Sequence, residues 1–266
     1  MATNKINPVI ILWAHPRSMS TAIERVMRER GDFDCLHEPF LHYYYLERTG
    51  KGLPHFDSEQ DHPIRYADTR DMILERAESA PVFAKDMSYY VIPEILEDAE
   101  FCRRIRHCFL IRNPLRSILS YYRLDNTVAL DEIGIEAQWR HFEGLLALGI
   151  DNAIVLEAEA VQADTATAMT RFWQALGLDY REQALSWQQE STPQDWQYVQ
   201  GWHQSVSGSS GIRQDDAQDS AKTIAEFESL CFEAPQLQEY LEFHQVYYER
   251  MRGYSISREA NDAATR

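Results

Sequence analysis

The stretch Pro8-Val9-Ile10-Ile11-Leu12-Trp13-Ala14-His15-Pro16-Arg17-Ser18-Met19-Ser20-Thr21 sets the pattern for the whole chain. Its first seven residues are short, continuous and β-branched, which predicts a strand buried on both faces. The run breaks at His15-Pro16 into a polar turn with one arginine, two serines and a threonine. Ala22, Ile23, Val26 and Met27 then recur at helical spacing, and Gly31 can close the helix. Strand, polar turn and helix succeed one another within about thirty residues.

The same unit repeats outward. Phe33–Leu36, Pro81–Ala84, His107–Ile111 and Ala153–Leu156 are further short apolar runs, expected as strands. Helical patterns occupy Asp68–Ser79, Leu115–Tyr122, Glu136–Leu148 and Thr165–Leu176, the last ended by Gly177. Alternation of this kind implies an α/β fold, a parallel sheet flanked by helices on both faces. Residues 43–65 hold two glycines, two prolines and several charges without a period, and are expected as a surface excursion or lid. Gly201–Ser220 has loop composition, 222–252 reads as helical, and Ser255–Arg266 as a frayed end. With no internal repeat and no marked linker, 1–266 is taken as a single domain.

The chain has 266 residues and a formal net charge of −16, with 44% apolar and 26% charged residues. That balance excludes wholesale disorder and argues against non-specific nucleic-acid binding or a polybasic membrane anchor. A few local cations can still serve one anionic ligand. Apolar runs fall short of the roughly 18 residues a membrane span needs. The first seven residues do not resemble a leader. Cys35, Cys102, Cys108 and Cys231 lack CxxC spacing and are expected as reduced, buried thiols in a cytoplasmic protein, with no metal site.

Three places carry chemistry. The turn after the first strand would set Arg17, Ser18, Ser20 and Thr21 at a helix N-terminus, where backbone N–H groups and a guanidinium hold anionic oxygens. The same residues would also serve as a plain cap. It is not a Walker A loop. Second, Phe109-Leu110-Ile111-Arg112-Asn113-Pro114 ends a strand at Arg112, and Ser120 comes eight residues later on the next helix. Third, Cys35-Leu36-His37-Glu38-Pro39-Phe40 sets an acid and an imidazole at the end of the second strand. Lys85-Asp86 closes another strand; Lys85 could meet an anion or Glu38, and Asp86 keeps open a kinase reading with Mg²⁺.

Together the first two segments resemble the PAPS-dependent sulfotransferases. Pro16-Arg17-Ser18-Met19-Ser20-Thr21 is similar to that family's 5′-phosphosulfate loop, P-[KR]-S-G-[ST]-[ST], and Arg112-Asn113-Pro114 through Ser120-Tyr121-Tyr122 to its 3′-phosphate motif, R-[ND]-P-x5-S-x-[YFWH]. The resemblance implies a P-loop NTPase-like sulfotransferase architecture and transfer of a sulfuryl group from PAPS to a hydroxyl or amine of a small-molecule or carbohydrate acceptor. It implies that Arg17 contacts the phosphosulfate and that Ser18, Met19, Ser20 and Thr21 form the 5′ loop. Arg112 and Ser120 would bind the 3′-phosphate. Glu38 in His-Glu-Pro-Phe resembles the base of bacterial and carbohydrate-acting members, with His37 as the alternative base or orienting partner and Lys85 beside them. Ser207–Gly211 with Arg213 resembles a late loop that closes over the cofactor; a surface loop is the competing reading.

Two departures stand out. Met19 occupies a position where glycine is usual, and Ala22 replaces an adenine-stacking tryptophan. A non-catalytic nucleotide-binding homologue is therefore a further alternative. The expected partner is a small-molecule acceptor, with no nucleic acid and no membrane, and a homodimer is compatible with the sequence. Tyr43–Tyr45, Trp139, Trp187, Trp196, Trp202, Tyr247 and Tyr248 are candidates for an acceptor pocket, most of them expected in the core.

Overall fold

A computed structural model describes residues 7–53, 62–188, 193, 196, 208–214 and 217–257. Its centre is a five-stranded sheet: β1 (Val9–Ala14), β2 (Asp34–His37), β3 (Val82–Met87), β4 (Arg106–Ile111) and β5 (Ile154–Glu157). All pairings are parallel and the order is β2-β3-β1-β4-β5. Alternate residues of β1 enter opposite cores, as the pleat demands. Val9, Ile11 and Trp13 join one apolar cluster, and Ile10 and Leu12 the other.

The second cluster is closed by α1 (Ser20–Arg30) and α9 (Thr165–Leu176), through Ile23, Val26, Met27, Phe172 and Trp173. The first is closed by α2 (Tyr66–Ser79), α6 (Pro114–Tyr122), α7 (Ile135–Ala147) and α11 (Gln236–Arg252). Short helices α3 (Ser88–Val91), α4 (Glu94–Glu97), α5 (Ala99–Arg104) and α8 (Ala158–Ala163) carry the chain between these, and α10 (Ala217–Glu233) precedes α11. The α/β fold with helices on both faces is as the alternation implies.

Several boundaries differ from the sequence reading. Hydrogen bonding carries β3 three residues past Ala84, through Lys85 and Asp86, because β1 continues to pair with it there. The C-terminal helical stretch is two helices, parted at Ala234-Pro235, since proline cannot continue the ladder. The expected surface excursion opens instead with a π-helical turn, Tyr43–Arg48, whose Tyr43 is buried against the main core. Residues 54–61 of that excursion, residues 201–207 of the predicted loop and the tail from 258 lie outside the described residues. Cys102 and Cys108 are buried as expected, whereas Cys35 and Cys231 are half-buried. Among the described residues no helix is long and apolar enough to cross a membrane.

Because every strand runs the same way, the segments after β1, β2, β3 and β4 emerge at one edge. The connection after β1 leads to one side of it and β4 lies on the other, the reversal at which parallel sheets open a crevice.

Candidate functional site

That crevice holds a cavity of about 360 Å³. Residues 16–22 line it after β1, Glu38 after β2, Met87, Tyr89 and Tyr90 after β3, and Arg112, Ser120 and Tyr121 after β4. Tyr45, Gln162, Ser209 and Gly211–Arg213 complete the wall. Every predicted site residue on the phosphate loop and on the Arg112–Ser120 segment thus reaches the same space.

The two segments are tied to each other. Arg112 Nη1 donates to the Arg17 carbonyl at 2.7 Å, and Arg17 Nε donates to Ser120 Oγ at 3.0 Å. Burial lowers the Arg17 pKa, with Tyr121 opposing; a guanidinium still keeps its proton. Asn113 caps α6 by accepting from Leu115 N at 3.0 Å, and its own N–H donates to Glu159 Oε1. The sequence at 112–114 therefore both ends β4 and starts a helix, with the arginine left at the turn.

Three residues of the cavity wall stand in uncommon backbone conformations. Arg17 (φ 63°), Met19 (φ 72°) and Glu38 (φ 45°) are the positive-φ non-glycine residues among the described ones, and all three line the cavity. Left-handed backbone costs an L-residue about 1–2 kcal/mol. Met19 thus adopts a left-handed backbone, the region that favours glycine, despite its Cβ. It is the N-cap of α1 and makes no side-chain cap bond. Ser18 is fully buried and its Oγ has no hydrogen-bond partner among the described residues. A buried hydroxyl left so beside two guanidiniums fits an anionic group.

Glu38 joins the cavity to a charge network beneath it. Lys85 Nζ makes a short ion pair with Glu38 Oε1, and Tyr90 Oη donates to Oε2 at 3.3 Å. His37 Nε2 lies 3.8 Å from Glu38 Oε1. His37 and Lys85 are not among the lining residues; Lys85 is wholly buried. Of the two partners expected for Lys85, an anion or Glu38, the structure shows Glu38: β1 and β2 sandwich Lys85 in register with Leu12 and His37, and it supports Glu38 from behind.

Asp86 has a similar explanation. Its carboxylate accepts from Phe40 N and Met87 N, each at 2.8 Å, and it is fully buried away from the cavity. Burial raises its pKa against those two N–H bonds. It fixes the turn that comes after Glu38 and is not placed to hold Mg²⁺ at the cavity, which removes the observation behind the kinase reading.

Sequence reasoning named Tyr44 and Tyr45 for an acceptor pocket but missed their neighbours Tyr89 and Tyr90. Tyr44, Tyr45, Tyr89 and Tyr90 pack ring against ring at 4.7–5.9 Å, and Tyr45, Tyr89 and Tyr90 line the cavity. Burial holds Tyr89 and Tyr90 well above the usual phenol range, so they stay neutral. Ser88-Tyr89-Tyr90 directly after a strand was the available signal. Of the other aromatics, Trp139, Trp187, Trp196 and Tyr248 are buried, while Trp202 lies outside the described residues. Arg213 lines the cavity mouth, mostly exposed and paired with Asp219 at 3.0 Å. Its loop is held by Ser186–Gly211 bridging and by Trp187 N donating to Ser210 O at 3.1 Å. Ser207 of that predicted loop is outside the described residues.

Fold and site define a parallel α/β protein that gathers two guanidiniums and a carboxylate where four strands end. Residues 9–223 match the model of the sulfotransferase domain, and the chain belongs to that family. It is 25% identical over 207 residues to branched-chain-amino-acid aminotransferase-like protein 2 of Arabidopsis thaliana, covering 77% of this chain and 36% of that protein. The chain thus spans about a third of that relative's length. Among solved structures, a sulfotransferase domain from the curacin biosynthetic pathway aligns at 16% identity and TM-score 0.45, over 67% of this chain and 77% of that one. Mouse sulfotransferase SULT7A1 complexed with PAP aligns at 11% identity and TM-score 0.39, over 90% and 91%.

Proposed function

We propose that this protein is an enzyme that transfers a sulfuryl group from PAPS to a hydroxyl or amine of a small-molecule or carbohydrate acceptor. The observation that carries the reading is the shared cavity. Arg17 and Arg112, 95 positions apart, line it together with Ser120 and Glu38. PAPS supplies a sulfuryl group on a phosphate leaving group.

The chain's residues divide the work. Arg17, the Ser18 hydroxyl and the N–H groups opening α1 hold the 5′-phosphosulfate end, and Arg17 balances the charge that grows on the leaving phosphate. Arg112, with Ser120, holds the 3′-phosphate. Glu38 faces the cavity opposite the phosphate loop and takes the acceptor's proton as the new S–O or S–N bond forms. The buried tyrosine wall keeps the acceptor side dry and neutral.

Calorimetry with 3′-phosphoadenosine 5′-phosphate (PAP) and AMP tests the reading. Losing a charge-assisted bond to phosphate is worth about 1.5–3 kcal/mol, or roughly 10- to 150-fold. Arg112→Ala should weaken PAP by that factor and AMP only a few-fold. Equal losses for both nucleotides would falsify the assignment of Arg112. PAP binding without PAPS turnover on any acceptor would favour a non-catalytic homologue, and turnover that needs ATP and Mg²⁺ would favour a kinase.

A further inference from the structure

Glu24 lies on α1, one turn beyond the phosphate loop, and is wholly buried without lining the cavity. Its neighbours Ile23, Val26 and Met27 fill the core. A carboxylate there is expensive compared with an apolar residue unless its charge is used. Its Oε1 accepts from Arg28 Nε at 2.8 Å and from Trp196 Nε1 at 2.9 Å. Its Oε2 meets His37 Nδ1 at 2.6 Å and lies 3.8 Å from Lys85 Nζ. Burial alone would raise the Glu24 pKa, but His37, Lys85 and Arg28 outweigh it and hold the group below the usual carboxylate range.

An ionised carboxylate only accepts hydrogen bonds. The 2.6 Å contact therefore places a donated N–H at His37 Nδ1, while Nε2 of the same ring lies 3.8 Å from Glu38 Oε1. Lys85 is held between the same two carboxylates. Glu38 is faced by Lys85 from β3, His37 from β2 and Tyr90 from α3.

We propose that Glu24 is a positioning residue for Glu38: it fixes the ring orientation of His37 and the seat of Lys85, the two groups that flank the Glu38 carboxylate. This rests on Glu38 being the base of the transfer reaction. It makes His37 an orienting partner, its ring anchored at Nδ1 by Glu24 with Nε2 on the Glu38 side. It also links helix α1, which begins at the phosphate loop, to the proton-accepting side of the cavity.

Nitrogen-15 NMR of the His37 ring at mildly alkaline pH tests this in the intact protein, with His37→Asn assigning the signals. The wild type should carry its proton on Nδ1. Glu24→Gln, whose carbonyl still accepts, should keep that signature. Glu24→Leu should remove that hydrogen-bonded Nδ1 signature. PAP affinity should stay within about twofold of wild type in Glu24→Gln. A bare Nδ1 in the wild type overturns the proposal, and that measurement needs no variant to fold. So does an unchanged ring in folded Glu24→Leu. A drop in PAP affinity of about tenfold or more in Glu24→Gln would mean that Glu24 merely holds up α1 and its loop. Absence of PAP binding by the wild type would defeat the cofactor reading while leaving the ring signature readable, so the two failures are separable.

Discussion

Replacing Lys85 by methionine keeps the length and volume of the side chain and removes its charge. Lys85 is fully buried, and its ammonium lies between Glu38 Oε1 and Glu24 Oε2, the latter at 3.8 Å. Glu24 cannot escape to water by rotation, because Arg28, Trp196 and His37 hold it in the core. Removing one member of such a group leaves buried charge uncompensated, at a cost of about 3–5 kcal/mol. Against a typical total of about 5–15 kcal/mol this is a large fraction. It should lower the melting temperature by roughly 6–20 °C, taking about 2–4 °C per kcal/mol for a domain of this size class. Urea unfolding monitored by circular dichroism should show a lower midpoint with the slope unchanged. Adding Glu38→Gln to Lys85→Met should recover part of the loss, since the two groups interact directly. A loss below about 1 kcal/mol, the scale of a solvated surface pair, would refute the reasoning. So would a double variant whose loss equals the sum of the two single losses.

Three further outcomes rest on the same geometry. Glu38→Gln should abolish sulfuryl transfer while leaving PAP affinity within about threefold, measured by turnover and calorimetry; parallel losses would place Glu38 in nucleotide binding instead. Gly134 has φ +78°, and an added Cβ would lie 3.0 Å from Tyr89 Cδ1 and 3.2 Å from Pro16 Cδ. Gly134→Ala should therefore cost about 1–2 kcal/mol in urea unfolding and weaken PAP binding by pushing on the loop's proline, whereas a neutral variant would show that the loop yields freely. Burial pushes the His15 pKa down to about 3 and that of His107 to about 4, in each case against a backbone hydrogen bond that raises it. Both are depressed below the unfolded value of about 6.5, so the unfolded chain binds more protons and stability falls as pH drops below about 6.5. Each histidine should cost roughly 2 kcal/mol by about pH 5. His107 Nδ1 accepts the Trp13 indole N–H at 2.9 Å, so its charging also breaks that bond. Urea midpoints that stay flat between about pH 7 and 5 would contradict this.

Much of the site was legible because its residues sit at strand ends, and strand ends show in sequence as apolar runs that stop abruptly. Val9–Ala14 stops at His15-Pro16, and Arg106–Ile111 stops at Arg112-Asn113-Pro114. Once parallel strands are inferred, the turns at their carboxyl ends must share an edge. Lys85 was read differently because its strand continues past the apolar run: β1 pairs with it as far as Met87 and β2 as far as Lys85, so a polar residue became interior. The tyrosine wall was legible only in part: Tyr45 was a candidate, but its meeting with Tyr89 and Tyr90, from another segment, depends on helix placement. Met19, where the motif has glycine, takes a positive φ that the letters alone do not announce.

By itself the sequence determined the alternation of elements, the parallel sheet, the two arginine turns and the family resemblance, all of which are written in local periodicity and short motifs. Only the tertiary structure decided that Arg17 and Arg112 share one cavity, that Lys85 faces inward, that Asp86 is used up by backbone amides, and that Glu24 stands behind Glu38. The physical reason is that burial and charge partnership depend on strand register and helix packing. Those bring together groups such as Glu24, Lys85 and Trp196 that are far apart along the chain.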